Sequence, residues 1–553
     1  MKSLQQELDR AMASLGKAEP APYYISYSAS DQSGNILAAS NGAIVAKLNR
    51  HERNVDISMR VGNRELDNTH GEHRFNAVTS ASLPVEDRPD AIARVLWLNT
   101  DRMYKRAAQT YLEVKTNTKV RAQEEDSSAD FSDEKPQVYN GKAVAAPQFD
   151  EKQWQERLRR YSAIFAKYPE IENSTVMLVV QNSTHYFVSS EGSRIVESQA
   201  LIRVLALGST RADDGMELAR SETFDASAFD KLVSEQVMTA KIEKIARDLR
   251  DLKKAPIVEP FNGPALLSGR AAAVFFHEVV GHRLEGQRQR GENEGQTFTK
   301  DVGQAVLPAF LSVEDDPTLP SISGVDLSGY YSYDDEGEKS QKVELISKGV
   351  LKQFLMSRMP VKGFEHSNGH GRAQDGMMPV GRQGNLIVRS TNTVPDAKLR
   401  EALIAEIKKQ NKQFGLYFED IAGGFTLTTR NLPQAFQVMP LMVWKVYADG
   451  RPDELVRGVD IIGTPRNVLN RIVLTGEKMD VFNGECGAES GSVPVAAAAP
   501  AMLFSEIEVQ KVAQGHDRPP VLPPPGFDKT DVASQTTQTT NSPTAPTPKQ
   551  ENR

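Results

Sequence analysis

The chain has 553 residues, of which 39% are hydrophobic and 25% are charged, and its formal net charge at pH 7 is −7. A chain of this length exceeds a single hydrophobic core, so we expect it to divide into at least two domains. The net negative charge gives no electrostatic reason to expect nucleic acid as a partner. No apolar stretch approaches the roughly 20 residues that span a bilayer, so the composition predicts no membrane-spanning helix.

The N-terminal sequence, residues 1–16, predicts an amphipathic helix that lacks the apolar core of a signal peptide. The chain as written is therefore expected in the cytoplasm, and export with a signal removed afterwards stays open. The single cysteine, Cys486, excludes an internal disulfide and does not settle the compartment.

The first half of the chain, residues 1–255, predicts an α+β domain. Tyr23–Ser28 and Asn35–Leu48 have the composition of strands, and the run from Asp90 to Gln123 has the pattern of a long helix. The acidic stretch over residues 124–147 lacks aliphatic periodicity, so we expect an exposed loop or lid there.

Two further helices and a hairpin complete the predicted first domain. Trp154–Tyr168 and Phe229–Lys254 have helical periodicity, and each ends close before a proline. The strand-like sequence between them predicts a hairpin that turns over residues 181–184. We place the domain boundary after Ala255.

The second half, residues 256–512, predicts a mainly antiparallel β domain. Lys348-Gly349 stands between two strand-like runs and is typical of a two-residue hairpin turn. Helices are expected at Ala397–Lys412 and in an apolar run that ends in a candidate metal-binding motif. Residues 513–553 are rich in Pro, Thr and Gln, and we expect a disordered tail.

That motif is His277-Glu278-Val279-Val280-Gly281-His282. Neutral imidazoles bind zinc, and a neighbouring carboxylate that is not a ligand can take a proton from metal-bound water. The two histidines are five residues apart, which separates them by about 140° around a regular helix. Both reach one metal only if the helix widens or ends near Gly281, and glycine tolerates the backbone angles of a helix end.

A third ligand is available from Cys486, which lies 209 residues beyond His277. Two histidines, one cysteine and a water form the open kind of zinc site that is typical of catalysis. Taken alone, however, a buried cysteine is more often a small core residue, and a HExxxH string also arises by chance. Spacing alone therefore leaves both interpretations open.

Several segments of the second half occur in an order that resembles the TldD/PmbA family of metallopeptidases. The segment HEVVGHRLEG at 277–286 is similar to the metal-binding helix of that family. Further similar segments follow in the family's order: Tyr333–Gly337, Gly369–Arg372, Gly415–Tyr417, Ile421–Gly424, Cys486–Ala488 and Ser492–Val495.

The resemblance implies a zinc-dependent peptidase, with His277, His282 and Cys486 as the zinc ligands and Glu278 as the catalytic base. It also implies an enclosed cavity, unfolded or short peptides bound as extended chains, and a dimer of this chain or with a related subunit. Some subunits of the family have lost the HExxxH motif. This chain keeps the motif and so resembles the catalytic member.

Two other functions stay open. One is a non-hydrolytic partner or regulatory subunit with a structural metal, which the family's association with modulation of DNA gyrase would allow. The other is hydrolysis of esters or other amides at the same site. Glu278 separates the first alternative from a peptidase, because a structural zinc has no use for a carboxylate beside its ligand.

Departures from the family pattern concern substrate binding rather than the metal. Arg283 and Gln287 stand where the family usually has a small and an acidic residue, and they predict a more positive rim around the site. Ala488 stands where a lysine is common in the family.

The glycine-rich run over residues 363–384 contains His370, Arg372 and Arg382. Guanidinium groups bind carboxylates and carbonyls, so these three are candidate substrate-binding residues, and a solvated turn is the alternative. Asp334-Asp335-Glu336 is expected to be a solvated turn rather than a calcium site, because successive strand side chains point in opposite directions.

Overall fold

The computed structural model describes residues 1–74, 76–117, 126–290, 294–430, 434–512, 515 and 517–527. Two large β-sheets, one in each half of the chain, carry the fold. The α-helices of the described residues are α1 (Lys2–Leu15), α2 (Pro89–Asn117), α3 (Glu151–Ser162), α4 (Glu235–Lys254), α5 (Gly269–Val279), α6 (Gln287–Arg290), α7 (Leu399–Lys409) and α8 (Pro465–Leu469). The predicted class, an N-terminal α+β half and a mainly antiparallel β half that carries the motif helix, is confirmed.

The first sheet consists of β1 (Pro22–Ser40), β2 (Ala43–Val61), β3 (Val78–Leu83), β4 (Val138–Asn140), β5 (Asn173–Ser189), β6 (Arg194–Arg211) and β7 (Glu217–Ala226). Their order is β3-β2-β1-β5-β6, and both β4 and β7 pair with β6. Neighbouring strands are antiparallel except for β4 and β6.

Two turns in this sheet differ from the sequence prediction. The expected strand Asn35–Leu48 is divided, because Asn41 and Gly42 adopt φ angles of 49° and 83° and reverse the chain between β1 and β2. The expected hairpin over residues 181–184 is wrong, since β5 continues through these residues and pairs with β1 and β6. Hydrogen bonding along both edges therefore overrides a polar composition that indicated a turn.

The predicted helices of the first half are present with different ends. α3 ends at Ser162 and is followed by a 3-10 turn at Phe165–Lys167, whereas Trp154–Tyr168 was expected as one helix. α4 begins at Glu235, where Ser234 caps it by accepting a hydrogen bond from the Val237 amide. The predicted residues 118–123 of α2 lie outside the described residues.

Four helices cover one face of the first sheet. α1 and α2 pack on strand residues such as Ile25 and Tyr27, and α3 and α4 pack on residues such as Leu178. Because alternate residues of a strand point to opposite faces, Ser30 of β1 points away from the helices. The Ser30 hydroxyl donates to Asp375, so the polar face of the sheet meets the second half of the chain.

The second sheet consists of β8 (Phe261–Leu267), β9 (Leu311–Asp315), β12 (Val343–Ser347), β13 (Val350–Leu351), β16 (Asn385–Ser390), β17 (Phe414–Thr426), β18 (Phe436–Tyr447), β19 (Glu454–Val456), β20 (Val459–Gly463), β21 (Ile472–Ala488) and β22 (Gly491–Lys511). Two small hairpins lie beside it: β10 (Ser321–Ile322) with β11 (Val325–Asp326), and β14 (Gly371–Arg372) with β15 (Val380–Gly381). The predicted turn at Lys348-Gly349 joins β12 to β13 and is confirmed. The predicted helix Ala397–Lys412 is the shorter α7.

Five strands of the second sheet close into a ring. β22 pairs with both β20 and β8, and β18 and β17 connect those two strands. α5 packs on β22, β17 and β21, and every residue of α5 except Arg270 is buried. A helix surrounded by sheet in this way has to be apolar on all sides, which explains the composition of the run before the motif.

The acidic stretch 124–147 is only partly the exposed loop that was expected, because within its described part residues 130–132 are buried whereas residues 142–146 are exposed. Asp130 and Phe131 are only 5% and 2% exposed. The Phe131 ring lies between the guanidinium groups of Arg60 and Arg358, each 3.9 Å from the ring centre. The stretch therefore anchors the first half of the chain to the second.

No helix in the described ranges is both long enough and apolar enough to cross a membrane. Of the predicted tail, residues 513, 514, 516 and 528–553 lie outside the described residues. The predicted boundary after Ala255 falls in the connection between α4 and β8, and the division into domains stays a prediction.

Candidate metal centre

The motif helix α5 ends inside the motif. Its N-terminus is capped by Ser268, whose hydroxyl accepts a hydrogen bond from the Ala271 amide at 3.1 Å. The helix ends at Val279, and the chain continues as a 3-10 turn over Gly281–Leu284. His277 therefore belongs to the α-helix and His282 to the tighter turn that follows it.

Gly281 is needed for a reason that the sequence did not show. Its φ angle is not positive, so a left-handed helix end is not what selects glycine here. A Cβ atom at this position would lie 1.9 Å from the Gln383 Oε1 atom. The Gln383 amide in turn donates to the His277 carbonyl, so glycine allows a side chain to pack against the break in the helix.

Cys486 lies near the end of the long hairpin formed by β21 and β22, where it pairs with Val493. The thiol is buried with Val493 and Val495. The Arg382 guanidinium donates to the Cys486 carbonyl at 2.6 Å and to the Ser490 hydroxyl at 2.7 Å. The tip of the hairpin is thereby held beside the motif turn.

The three side chains meet at one point. The Cys486 Sγ atom lies 3.2 Å from the His277 Nε2 atom and 3.3 Å from the His282 Nε2 atom. All three donor atoms lie within 4.8 Å of one another. Zinc bonds of about 2.3 Å to sulfur and about 2.0 Å to nitrogen place tetrahedral donors about 3.5 Å apart, so the two sulfur–nitrogen separations fit zinc.

The electrostatics of the cluster favour the metal-binding form of the sulfur. Burial alone would raise the pKa of the Cys486 thiol, but the neighbouring rings of His282 and His277 outweigh burial and lower the pKa to about 4. Burial would likewise lower the pKa of His282, and the Glu285 carboxylate and the Cys486 sulfur instead raise it well above its ordinary value. Since a thiolate is the form that ligates metals, the state of the sulfur fits zinc, whereas His282 would have to lose a proton to bind the metal.

Glu278 lies beside the cluster without joining it. Its Oε2 atom is 3.9 Å from the His282 Nε2 atom, and its side chain is 9% exposed. A Cβ atom on Gly424 would lie 3.0 Å from the Glu278 Cγ atom, so glycine lets β17 approach this carboxylate closely. The geometry leaves Glu278 available as a proton acceptor next to the donor set.

Glu285 is a site residue that the motif analysis missed. It is 0% exposed, and it accepts hydrogen bonds from His282 Nδ1 at 3.0 Å and from Arg288 Nε at 2.8 Å. Burial alone would raise the pKa of Glu285, but His282 and Arg288 lower it to about 2. Its position three residues after His282 was the available sequence signal.

The three candidate substrate-binding residues are buried and make contacts within the protein. His370 lies 3.3 Å from an Asp315 oxygen, and Arg372 donates to the Gln383 carbonyl. Arg382 is 0% exposed and binds the Cys486 hairpin. These contacts favour structural roles, and substrate binding by the three residues stays a prediction.

The predicted positive rim is wrong. Arg283 is 1% exposed and donates to the carbonyls of Leu427 and Ala435, where it closes the β17–β18 hairpin. Burial lowers the pKa of Arg283 to about 10. Gln287 is also buried, and its amide donates to Glu489.

The predicted solvated turn at Asp334-Asp335-Glu336 is wrong as well. Asp334 is 2% exposed, and Glu336 and Glu338 are 9% and 8% exposed. Asp334 accepts hydrogen bonds from the amides of Glu338 and Gly371, and Glu336 accepts one from the Arg358 amide. Backbone amides from distant parts of the chain therefore hold this turn inside the protein.

Comparison with known proteins relates the second half of the chain to one family of metallopeptidases. The family model described as the PmbA/TldA metallopeptidase C-terminal domain matches residues 261–511. A metalloprotease of Methanocaldococcus jannaschii is 26% identical over 56% of this chain and 63% of its own length. A metalloprotease TldD homolog of Haemophilus influenzae is 28% identical over 44% of this chain and 48% of its own length. A zinc metalloprotease TldD homolog of Saccharolobus solfataricus is 27% identical over 44% of this chain and 51% of its own length.

The matches to these curated relatives span from about half to just under two thirds of the relatives' own lengths. The fold extends the likeness over nearly the whole chain. The crystal structure of TldE from Thermococcus kodakarensis superimposes with a TM-score of 0.59 and 13% identity, covering 92% of this chain and all of that one. By sequence, residues 261–511 of this chain belong to the TldD/PmbA family, and the fold of TldE extends over 92% of the chain.

Proposed function

We propose that this protein is a zinc-dependent peptidase that hydrolyses unfolded or short peptides. The observation that carries the proposal is the convergence of two imidazole Nε2 atoms on the Cys486 sulfur, at 3.2 and 3.3 Å, with the Glu278 carboxylate beside them. Two imidazoles and a thiolate leave one tetrahedral position open, as catalytic zinc sites do. The relatives named as metalloproteases support the same class of activity.

Each residue then has a separate task in hydrolysis. His277, His282 and Cys486 would hold zinc, which supplies a Lewis acid that polarises the peptide carbonyl and makes water more acidic. Glu278 accepts the proton of the attacking water and returns it to the leaving amine. No covalent bond between enzyme and substrate is needed, because water is the nucleophile.

A substrate strand has a place to bind next to Glu278. β17 pairs with β18 along its length, but among the described residues it pairs with β8 only over Leu416–Phe418. The edge of β17 beyond Phe418 therefore has no strand partner in the described ranges, and Gly424 on this segment lies against Glu278. An extended peptide that adds to this edge would be recognised by main-chain hydrogen bonds and would tolerate varied side chains.

We also propose a second subunit, either another copy of this chain or a related chain, as the family resemblance implies. Light scattering of the purified protein measures its mass in solution. A monomer that cleaves peptides at full rate would contradict this part of the proposal.

The test of the activity is Glu278→Gln, which keeps the shape of the side chain and removes its basicity. We expect zinc content to stay near that of the unmodified protein, and cleavage of an unstructured peptide to fall by about 10²–10⁴-fold. Glu485→Gln is the matched control, because this carboxylate is next to Cys486 in sequence but points to the other face of β21. It should leave cleavage unchanged.

The same experiment separates the peptidase from the alternative of a structural metal. A protein that binds zinc but cleaves no peptide would be a non-hydrolytic subunit. Cleavage that persists in Glu278→Gln would contradict the assignment of the base. Cleavage of esters but not of peptides would favour the other hydrolase class.

A further inference from the structure

The two histidines of the cluster are held in different ways. His277 belongs to α5, whose regular backbone directs its ring. Its Nδ1 atom is buried and has no hydrogen-bond partner among the described residues. His282 lies beyond the end of that helix, and its Nδ1 atom is 3.0 Å from the Glu285 Oε1 atom. The histidine that the helix does not hold is thus the one with a carboxylate behind it.

Glu285 is itself held on several sides. Arg288 donates to its Oε2 atom at 2.8 Å, and the Arg382 Nε atom lies 3.5 Å from its Oε1 atom. The backbone of Glu285 forms a bridge with Leu355. A carboxylate that is 0% exposed needs such partners, because an unpaired buried charge is strongly destabilising. The carboxylate therefore has one fixed position relative to the His282 ring.

The Nδ1–H group of an imidazole that donates to a carboxylate leaves the lone pair on Nε2. In His282 this Nε2 atom is the one that lies 3.3 Å from the Cys486 sulfur. A ring without the carboxylate behind it is free to turn about its Cβ–Cγ bond, since this torsion has broad minima. The nitrogen that faces the cluster would then vary.

We propose that Glu285 is a positioning residue, whose carboxylate fixes the ring of His282 so that Nε2 faces the zinc position. The proposal rests on the proposed zinc site and adds a determinant of metal affinity outside the three ligands. Arg382 extends this role, because it lies beside Glu285 and also binds the Cys486 carbonyl. The histidine turn and the cysteine hairpin are thereby tied together by one guanidinium.

The test compares zinc affinity in Glu285→Gln and Glu285→Ala with that of the unmodified full-length protein. Competition with a coloured chelator gives the dissociation constant of zinc alone, without any peptide. We expect affinity to fall by about 10–100-fold in the two variants. Cobalt in place of zinc gives a visible spectrum that reports on the donor set, and we expect it to change in both variants.

Glu489→Gln is the matched control. Glu489 binds the same Arg288 and the neighbouring Gln287, but no contact joins it to His282 in the described structure. We expect this variant to keep the zinc affinity and the cobalt spectrum of the unmodified protein. An equal loss of affinity in Glu489→Gln would overturn the proposal, since it would show a general loosening of the region.

Three further results would also overturn the proposal. Wild-type affinity and spectrum in both Glu285 variants would remove Glu285 from the site and leave the proposed function intact, whereas a wild-type protein without zinc affinity would end both proposals. Nitrogen-15 spectra of the zinc-loaded wild type with labelled histidine need no variant to fold. They should show His282 protonated at Nδ1, and protonation at Nε2 would contradict the assigned role.

Discussion

Two regions of the second half bury charged side chains in opposite ways. In the region of the metal centre, Glu285 lies between Arg288 and Arg382 and stays ionised. In the turn over residues 334–338, burial raises the pKa of Glu336 to about 7 and that of Glu338 to about 8. The first region thus keeps its carboxylate charged by pairing it with guanidinium groups, whereas burial in the second region favours the protonated form of the carboxyl groups. The difference shows that neighbouring cations decide whether a buried carboxylate stays charged.

The largest effect should come from a substitution in the region of the candidate metal centre. Cys486→Ser removes the thiolate, and a hydroxyl does not replace it because a neutral hydroxyl is a poor zinc ligand. We expect loss of bound zinc by elemental analysis and loss of peptide cleavage. Removal of zinc from the unmodified protein by a chelator should abolish cleavage as well, and added zinc should restore it. Full zinc content in Cys486→Ser would contradict the ligand assignment.

The next largest effect should come from the contact between Phe131 and Arg358, which holds the turn over residues 334–338 to the first half of the chain. Phe131→Ala removes a ring that is stacked between Arg60 and Arg358, and the Arg358 amide binds Glu336. We expect the free energy of unfolding to fall by about 3–5 kcal/mol, measured by urea denaturation. Leu112→Ala is the control, because Leu112 is 54% exposed and its removal leaves no cavity. Equal effects of the two substitutions would contradict the anchoring role of Phe131.

A smaller effect is expected at the break in the motif helix. Gly281→Ala places a methyl group against Gln383, which should lower the free energy of unfolding by about 1–3 kcal/mol. Gly423→Ala is the control, since a Cβ atom there has nothing within 4 Å. Adding Gln383→Ala to Gly281→Ala should recover part of the loss, because the two side chains would no longer compete for space. If the stability losses of the two substitutions simply add in the double variant, Gln383 is not the side chain that clashes with the added methyl group.

The smallest effect is expected in the turn over residues 334–338, as a dependence of stability on pH. The pKa of Glu338 is raised, first by burial, from 4.5 to about 8, so its contribution to stability is complete below pH 4.5 and is lost as the pH rises through about 8. We expect Glu338→Gln to flatten the decline of the melting temperature across this range, relative to the unmodified protein. Glu344→Gln, at an exposed strand position, should leave the decline unchanged. An unaltered slope in Glu338→Gln would contradict the raised pKa.

The sequence predicted those parts of the site that depend on local chemistry. The spacing of His277 and His282 indicated that the helix had to end or widen near Gly281, and α5 ends at Val279. Cys486 was the only thiol available, and the structure places it beside both rings. The hairpin at Lys348-Gly349 followed in the same way from its turn residues.

The sequence did not predict features that depend on distant parts of the chain. Arg283 was expected at a charged rim, but it is buried because carbonyls 144 and 152 residues away accept its hydrogen bonds. The turn at Asp334 was expected in solvent, but amides such as that of Gly371 surround it. Glu285 is part of the motif segment, but only the fold shows that its carboxylate contacts the His282 Nδ1 atom.

The separation of the donors along the chain has a consequence for biosynthesis. His277 leaves the ribosome long before Cys486, which is 209 residues further on. A nascent chain that has not yet reached the cysteine offers two imidazoles and no thiolate, so the complete donor set does not exist during most of translation. The proposed peptidase activity needs the complete donor set, so it would begin only after synthesis has passed Cys486.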